Sequence, residues 1–285
     1  MKYFISTINF SPETKEKISD ILPRMVNKGI KNIEISSLHP YEEGFEHLIE
    51  YSHKHGLNLL LHNYAPPARE SFLLNLCSKN DFMRNRASNF IKDRIEFTKK
   101  LNMDYFSFHA GFRVNYMKGV HEYKTRISDE QAMKLFTKEL QEIIAFAEEK
   151  KVHIGIENHV AIIENKDNLI LYGINNWKKI FEIIDSKYFH LHLDLGHLKI
   201  SAAEHNFNRD EFIELFGDKV IGMHIHDNTG VKIDCHAPFS NDFWFGREQI
   251  RYLKNLKYAI LETKTFGNMP LIDQMINYIK KADKK

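Results

Sequence analysis

Six short apolar runs each end in a residue able to bind a metal ion: His62 in LNLLLHN, His109 in YFSFHAG, Glu157 in VHIGIENH, Asp194 in HLHLDLGH, His224 in VIGMHIHDN and Glu262 in YAILETK. Three acids converging without a cation would repel one another, and at least one would have to take up a proton. A divalent ion relieves that repulsion. Glu157, Asp194, His224 and Glu262 offer three carboxylates and one imidazole, a set suited to Mn, Co, Mg or Zn rather than to a thiolate site. His62 and His109 form a second set, and His197 with Asp234 and His236 of the DCH sequence forms a third. His226 follows His224 at the expected rim, and His159 follows Glu157; both are candidates for touching a substrate.

Residues so far apart in sequence can meet only if the fold brings the ends of the runs together. Parallel strands do so, because their carboxyl ends share one face of the sheet. Short β-rich runs recur at about 3–8, 31–36, 57–62, 104–109, 152–157, 189–194, 220–226 and 257–262, and eight is the number that closes a parallel barrel. Helical periodicity fills the intervals. Ser11 and Pro12 read as the start of a helix with an apolar face of Ile18, Ile21, Leu22, Met25 and Val26, which Pro23 should kink or shorten. Ser128 and Gln131 read as the cap of another. The expectation is a single (β/α)8 TIM barrel domain over 1–285, with a doubly wound open sheet as the rival.

Side chains alternate along a strand, so Gly155 and Glu157, Ser107 and His109, and Gly222 and His224 should face the barrel axis. Small residues one layer beneath the proposed ligands would leave room for a polar pocket. His190 and His192 share the parity of Asp194 but lie deeper, in a core hydrogen-bond network. His39, His47, His53, His55, His121 and His205 are read as solvated, and Arg69, Lys79, Arg84 and Arg86 as a solvated helix face. FSNDFWF, which includes Trp244, is an aromatic loop suited to closing over a substrate or to packing against a second copy in a homodimer.

With 285 residues, 43% of them hydrophobic, the chain can bury a large core, and 40 basic against 38 acidic residues give no general attraction to polyanions. The N-terminal MKYFISTINF is no export signal and no run is long enough to span a membrane, so a cytoplasmic protein is expected. Two cysteines are too few for a disulfide framework.

Taken in order, HNYAPP, FHAGF, IENH, DLGH, GMHIHDN, DCHAP and LET resemble the xylose isomerase-like TIM barrels, which include sugar isomerases and epimerases and the abasic-site endonucleases of the endonuclease-four type. The resemblance implies a shared metal centre at Glu157, Asp194, His224 and Glu262. From the endonucleases it further implies a second metal at His62, His109 and Glu157, and a third at His197, Asp234 and His236. Two departures count against the nuclease. Glu42, Glu43 and Glu46 stand where phosphate contact would favour basic residues, and NYAPPARE is inserted after His62. A third departure concerns ketose 3-epimerases, which carry an Arg where this chain has Gly230.

The leading expectation is a metal-dependent isomerase or epimerase of a sugar or sugar phosphate, with Glu157 and Glu262 exchanging protons through an enediolate. His226, His159 and Trp244 would contact the carbohydrate. One ion suffices for that chemistry. The alternatives are a phosphoesterase or abasic-site endonuclease with up to three Zn, and a non-catalytic barrel that binds a small ligand.

Overall fold

The computed structural model describes residues 1–11, 16–37, 39–114, 126–228 and 232–283; Pro12, His121 and Gly230 lie outside them. Eight parallel strands follow one another around a closed barrel: β1 (Lys2–Ser6), β2 (Asn32–Ile35), β3 (Asn58–His62), β4 (Tyr105–His109), β5 (His153–Glu157), β6 (Phe189–Asp194), β7 (Val220–Ile225) and β8 (Tyr258–Leu261). β8 pairs back onto β1, which excludes the open sheet. Each strand lies within a residue or two of its expected run.

The surrounding helices include α1 (Ile18–Asn27), α2 (His47–His55), α3 (Asp81–Lys100), α4 (Asp129–Lys150), α5 (Ile174–Ile183), α6 (Leu195–His205), α7 (Arg209–Phe216), α8 (Arg247–Ile250) and α9 (Met269–Asp283). Ser128 caps α4 as its sequence predicts, accepting a hydrogen bond from Gln131 N at 3.1 Å. α1 begins after Lys17 rather than at Ser11, and Pro23 sits inside it. Its apolar residues Ile18, Ile21, Leu22 and Met25 are buried as expected, so packing rather than the early capping signal sets its start. Among the described residues, no helix is long and apolar enough to cross a membrane.

The connection from β7 to β8 departs from the regular pattern. Its helix α8 has four residues, and the aromatic side chains that precede it pack into the hydrophobic core. Phe239 and Phe243 stack at 4.3 Å, Phe245 is fully buried, and Tyr278 on α9 donates a hydrogen bond to Phe243 O at 3.0 Å. The expected aromatic lid is therefore part of the outer wall. Burying each such ring contributes roughly 1.5–3 kcal/mol, which an exposed lid would forgo.

The barrel interior corrects a second expectation. Gly155 and Gly222 do face the axis, but the space they leave is filled by Tyr105. A Cβ at either glycine would lie 2.1 or 2.5 Å from the Tyr105 hydroxyl. That hydroxyl is 2.6 Å from His192 Nδ1, and the Tyr105 ring stacks on Tyr258 at 5.1 Å. The small residues thus admit a plug beneath the mouth. The polar groups above it are pushed to the carboxyl ends of the strands.

Candidate metal centre

Strand register assembles the mouth. His109 pairs with Glu157 across β4 and β5, and Asp194 pairs with His224 across β6 and β7, so residues of shared parity stand side by side. His224 Nδ1 lies 3.0 Å from Glu262 Oε2, 3.6 Å from Glu157 Oε1 and 3.6 Å from Asp194 Oδ2. The four residues read from the sequence as a shared centre therefore surround one nitrogen. All four are buried, and both His224 Nδ1 and Glu157 Oε2 lack a hydrogen-bond partner.

Such a cluster of unpaired buried groups is costly unless a further ligand satisfies it. A divalent cation fits. It would replace an unmet acceptor nitrogen and three crowded carboxylates with one coordination sphere, and the mostly oxygen donor set suits Mn, Co, Mg or Zn.

The second set comes to the same place. His62 Nε2 and His109 Nε2 lie 3.2 and 3.7 Å from Glu157 Oε2, the oxygen without a hydrogen bond. Ser107 Oγ lies 3.0 Å from the other His62 ring nitrogen and fixes that ring's orientation. Glu157 is thus flanked on one side by His62 and His109 and on the other by His224.

The third set is adjacent. Asp234 Oδ2 lies 3.0 Å from His197 Nε2 and 3.3 Å from His236 Nε2. His226 joins this set more closely than its sequence reading anticipates: His226, Asp234 and His236 can offer ligand atoms within 4.8 Å of one another, as can Asp194, His197 and His226. Its ring stacks on His236 at 4.3 Å and its Nε2 is 3.1 Å from both Asp194 oxygens.

Local sequence explains this geometry. β6 runs directly into α6, and Asp194 caps that helix by accepting from His197 N at 2.6 Å while its carboxylate still faces the mouth. Gly196 of DLGH lets His226 approach, since a Cβ there would meet the His226 ring at 1.9 Å. Asn158 locks β5 to β6, accepting from Asp194 N at 2.8 Å and donating to Asp194 O at 3.0 Å. Asn228 ties the DCH loop down, accepting from Cys235 N at 2.8 Å and donating to Gly196 O at 3.0 Å. His236 adopts φ +48°, a left-handed conformation uncommon for histidine and characteristic of strain held at a site.

Charge distribution follows the same lines. Burial alone would push Glu157 up, but His109, His62 and His224, with a hydrogen bond from His197, hold it well below the usual carboxylate range. Burial raises Glu262 and prevails over His224 and His236. Burial opposes charge on His224, yet Glu262, Glu34 and Glu157 hold its pKa well above the ordinary value. His236 is likewise raised to about 9 against burial, by Glu262 and Asp234. Burial, with little compensation, lowers His62 and His109. Without a metal, protonated imidazoles thus balance the carboxylates; a bound cation would displace those protons.

Four sequence readings change. Trp244 lies in the outer layer, with the Arg209 guanidinium 4.2 Å from its ring centroid and Phe245 edge-on beside it, because the rings of FSNDFWF pack into the hydrophobic core; the structure does not bring it to the cluster. His159 is buried behind the mouth, stacked on His109 at 5.1 Å, so it supports that ring from the rear. His39, read as solvated, is buried with its Nε2 2.7 Å from Thr7 Oγ1. Arg84, read as part of a solvated helix face, is buried and held by Glu139, Asp81 and Ser78 O, because the acid on α4 pairs with this α3 residue. The sequence reading missed Glu34, whose Oε2 lies 2.9 Å from His224 Nε2. Its axial parity on β2 was the available signal.

A closed eight-stranded barrel with a buried carboxylate and imidazole cluster at its mouth defines the class. The Xylose isomerase-like TIM barrel family matches residues 25–282, and the chain belongs to that family. No curated protein matches its sequence. Among solved structures it is similar to a D-tagatose 3-epimerase-like protein, at 19% identity and TM-score 0.74, covering 99% of this chain and 98% of that one. It is also similar to an IOLI protein with a binding zinc atom, at 14% identity, TM-score 0.74 and full coverage of both chains (100% each). A third is the 3-keto-D-glucoside 4-epimerase YcjR from E. coli, at 14% identity and TM-score 0.67, covering 99% of each chain. At these identities the likeness establishes the fold.

Proposed function

We propose that the protein is a divalent-metal-dependent isomerase or epimerase of a sugar, sugar phosphate or related polyol. The observation that carries this reading is the pair Glu157 and Glu262. Both are buried and approach His224 Nδ1 from different strands, at 3.6 and 3.0 Å, so two carboxyl groups converge on the place where a cation and its substrate would sit. Two carboxyl groups so placed suit a base and an acid acting on one substrate. The sugar epimerases among its structural relatives, and the relative that holds zinc, agree with this chemistry.

A cation at the mouth would polarise neighbouring carbonyl and hydroxyl oxygens and acidify the hydroxyl-bearing carbon next to the carbonyl. Glu157, ionised, takes the carbon-bound proton, and Glu262, protonated, returns one, with the substrate passing through an enediolate. Asp194 and His224 hold their positions through Asn158 and Glu34. His226 and His197 border the cluster, where they can orient hydroxyls, and His62 and His109 lie against the Glu157 carboxylate and position it. The test is incorporation of solvent deuterium into ketoses and ketose phosphates by metal-loaded protein. Metal-dependent exchange is expected; full exchange by metal-bound Glu157→Gln would remove that glutamate from the mechanism.

A second reading, a zinc phosphoesterase, draws on one specific observation. His62 and His109 both face Glu157 Oε2, and the His197, Asp234 and His236 cluster lies next to it, so the mouth has donors for more than one ion. Exposed Glu43 and Glu46 in the β2–α2 connection disfavour a duplex DNA substrate. Three zinc ions per chain with cleavage of an abasic duplex would select the phosphoesterase; one Mn, Co or Mg with hydrogen exchange selects the isomerase.

A further inference from the structure

We propose that Glu34 is the positioning residue that fixes the His224 ring, so that Nδ1 and not Nε2 faces the three carboxylates of the mouth. The inference rests on the reading that those groups hold a cation. Glu34 lies on β2, on the opposite side of the barrel from β6, and pairs in register with Ser6 and Leu60. Its Oε2 is 2.9 Å from His224 Nε2, with the two side chains 1% and 0% exposed.

With a cation on Nδ1 the ring keeps its one proton on Nε2, where the Glu34 oxygen at 2.9 Å accepts it. Nδ1 is the nitrogen 3.0 Å from Glu262 and 3.6 Å from Glu157 and Asp194. The remaining neighbours of the ring, His192 at 4.2 Å and His62 at 4.8 Å between centroids, meet it edge to face and constrain its plane. They do not choose between its nitrogens. Flipping the ring would turn a carbon toward the carboxylates and leave Glu34 buried without its partner, so the pair locks a single orientation.

Glu34 also lies within ligand reach of His62 and His224, which makes direct coordination the competing role. Zinc titration by calorimetry, with ¹⁵N NMR of the histidine rings in the zinc-loaded protein, separates the two. For Glu34→Leu, affinity is expected to fall about 10–100-fold and the protected Nε2 proton of His224 to be lost. Glu34→Gln, isosteric and suited to folding where leucine is not, keeps an acceptor and should retain that proton with a smaller loss of affinity. Wild-type affinity in both variants overturns the proposal. So does a Gln variant that loses zinc as fully as the Leu variant while its Nε2 proton persists, because Glu34 would then be a ligand. Wild-type protein that takes up no zinc or manganese overturns this inference together with the reading beneath it, whereas retained binding without hydrogen exchange sinks the isomerase alone.

Discussion

The barrel interior has two polar layers, both largely buried, that differ in how far their polar groups satisfy one another. In the lower layer the Tyr105 hydroxyl meets His192, Tyr258 donates to Asp104, and two glycines let the rings close-pack; of these residues, only His192 Nε2 lacks a hydrogen bond. In the upper layer Glu34, Glu157, His109, His224 and Asp234 each keep a buried polar atom without a partner. Buried polar groups that satisfy one another hold a fold together. Unmet groups that also cluster at ligand spacing, as those of the mouth do, can take up something that binds.

The contrast can be tested from either layer. Glu157→Gln should reduce hydrogen exchange about 10²–10⁴-fold, the usual contribution of a positioned base, with little change in melting temperature. Loading the upper layer with Mn or Zn at about 100 times the dissociation constant should stabilise the fold by about 3 kcal/mol, read by denaturant unfolding. In the lower layer Gly155→Ala forces a Cβ to 2.1 Å from the Tyr105 hydroxyl, with an expected cost of about 1–3 kcal/mol. Adding Tyr105→Phe should recover part of that loss, and a full loss in the double variant would show that the plug is not the cause. Trp244→Ala, in the outer wall, should cost about 2 kcal/mol in stability and leave exchange unchanged in metal-loaded protein.

The upper layer also predicts a pH signature. His236 has its folded pKa raised to about 9 from 6.5, so the stability it contributes is fully present below pH 6.5 and is lost as pH rises to about 9. Metal-free protein should weaken across that window. Bound metal should abolish the trend, because the ion then supplies the charge that the protons supplied. Unfolding measured with and without metal at several pH values checks both statements.

Much of this was legible in the chain. Apolar runs ending in His, Glu or Asp gave the strands, the parity and the members of the mouth, because strand ends and period-two alternation are local features of sequence. The axial parity of Glu34 was legible but its partner was not, since one acid in KNIEIS has no visible tie to a histidine on β7 until the barrel closes. Tyr105 escaped for a similar reason: small residues at 155 and 222 read as empty space when the ring that fills it comes from β4. The aromatic stretch around Trp244 read as a lid because its density alone does not reveal that its rings pack into the core.

Metal content tests the central claim most directly. Elemental analysis of wild-type protein and of a folded Asp194→Asn, His224→Gln double variant, each equilibrated with Mn, Co, Mg and Zn and then desalted, should find at least one ion retained per wild-type chain and none at this centre in the variant. Equal retention in both proteins, or none in the wild type, would contradict a shared cation at the mouth of the barrel.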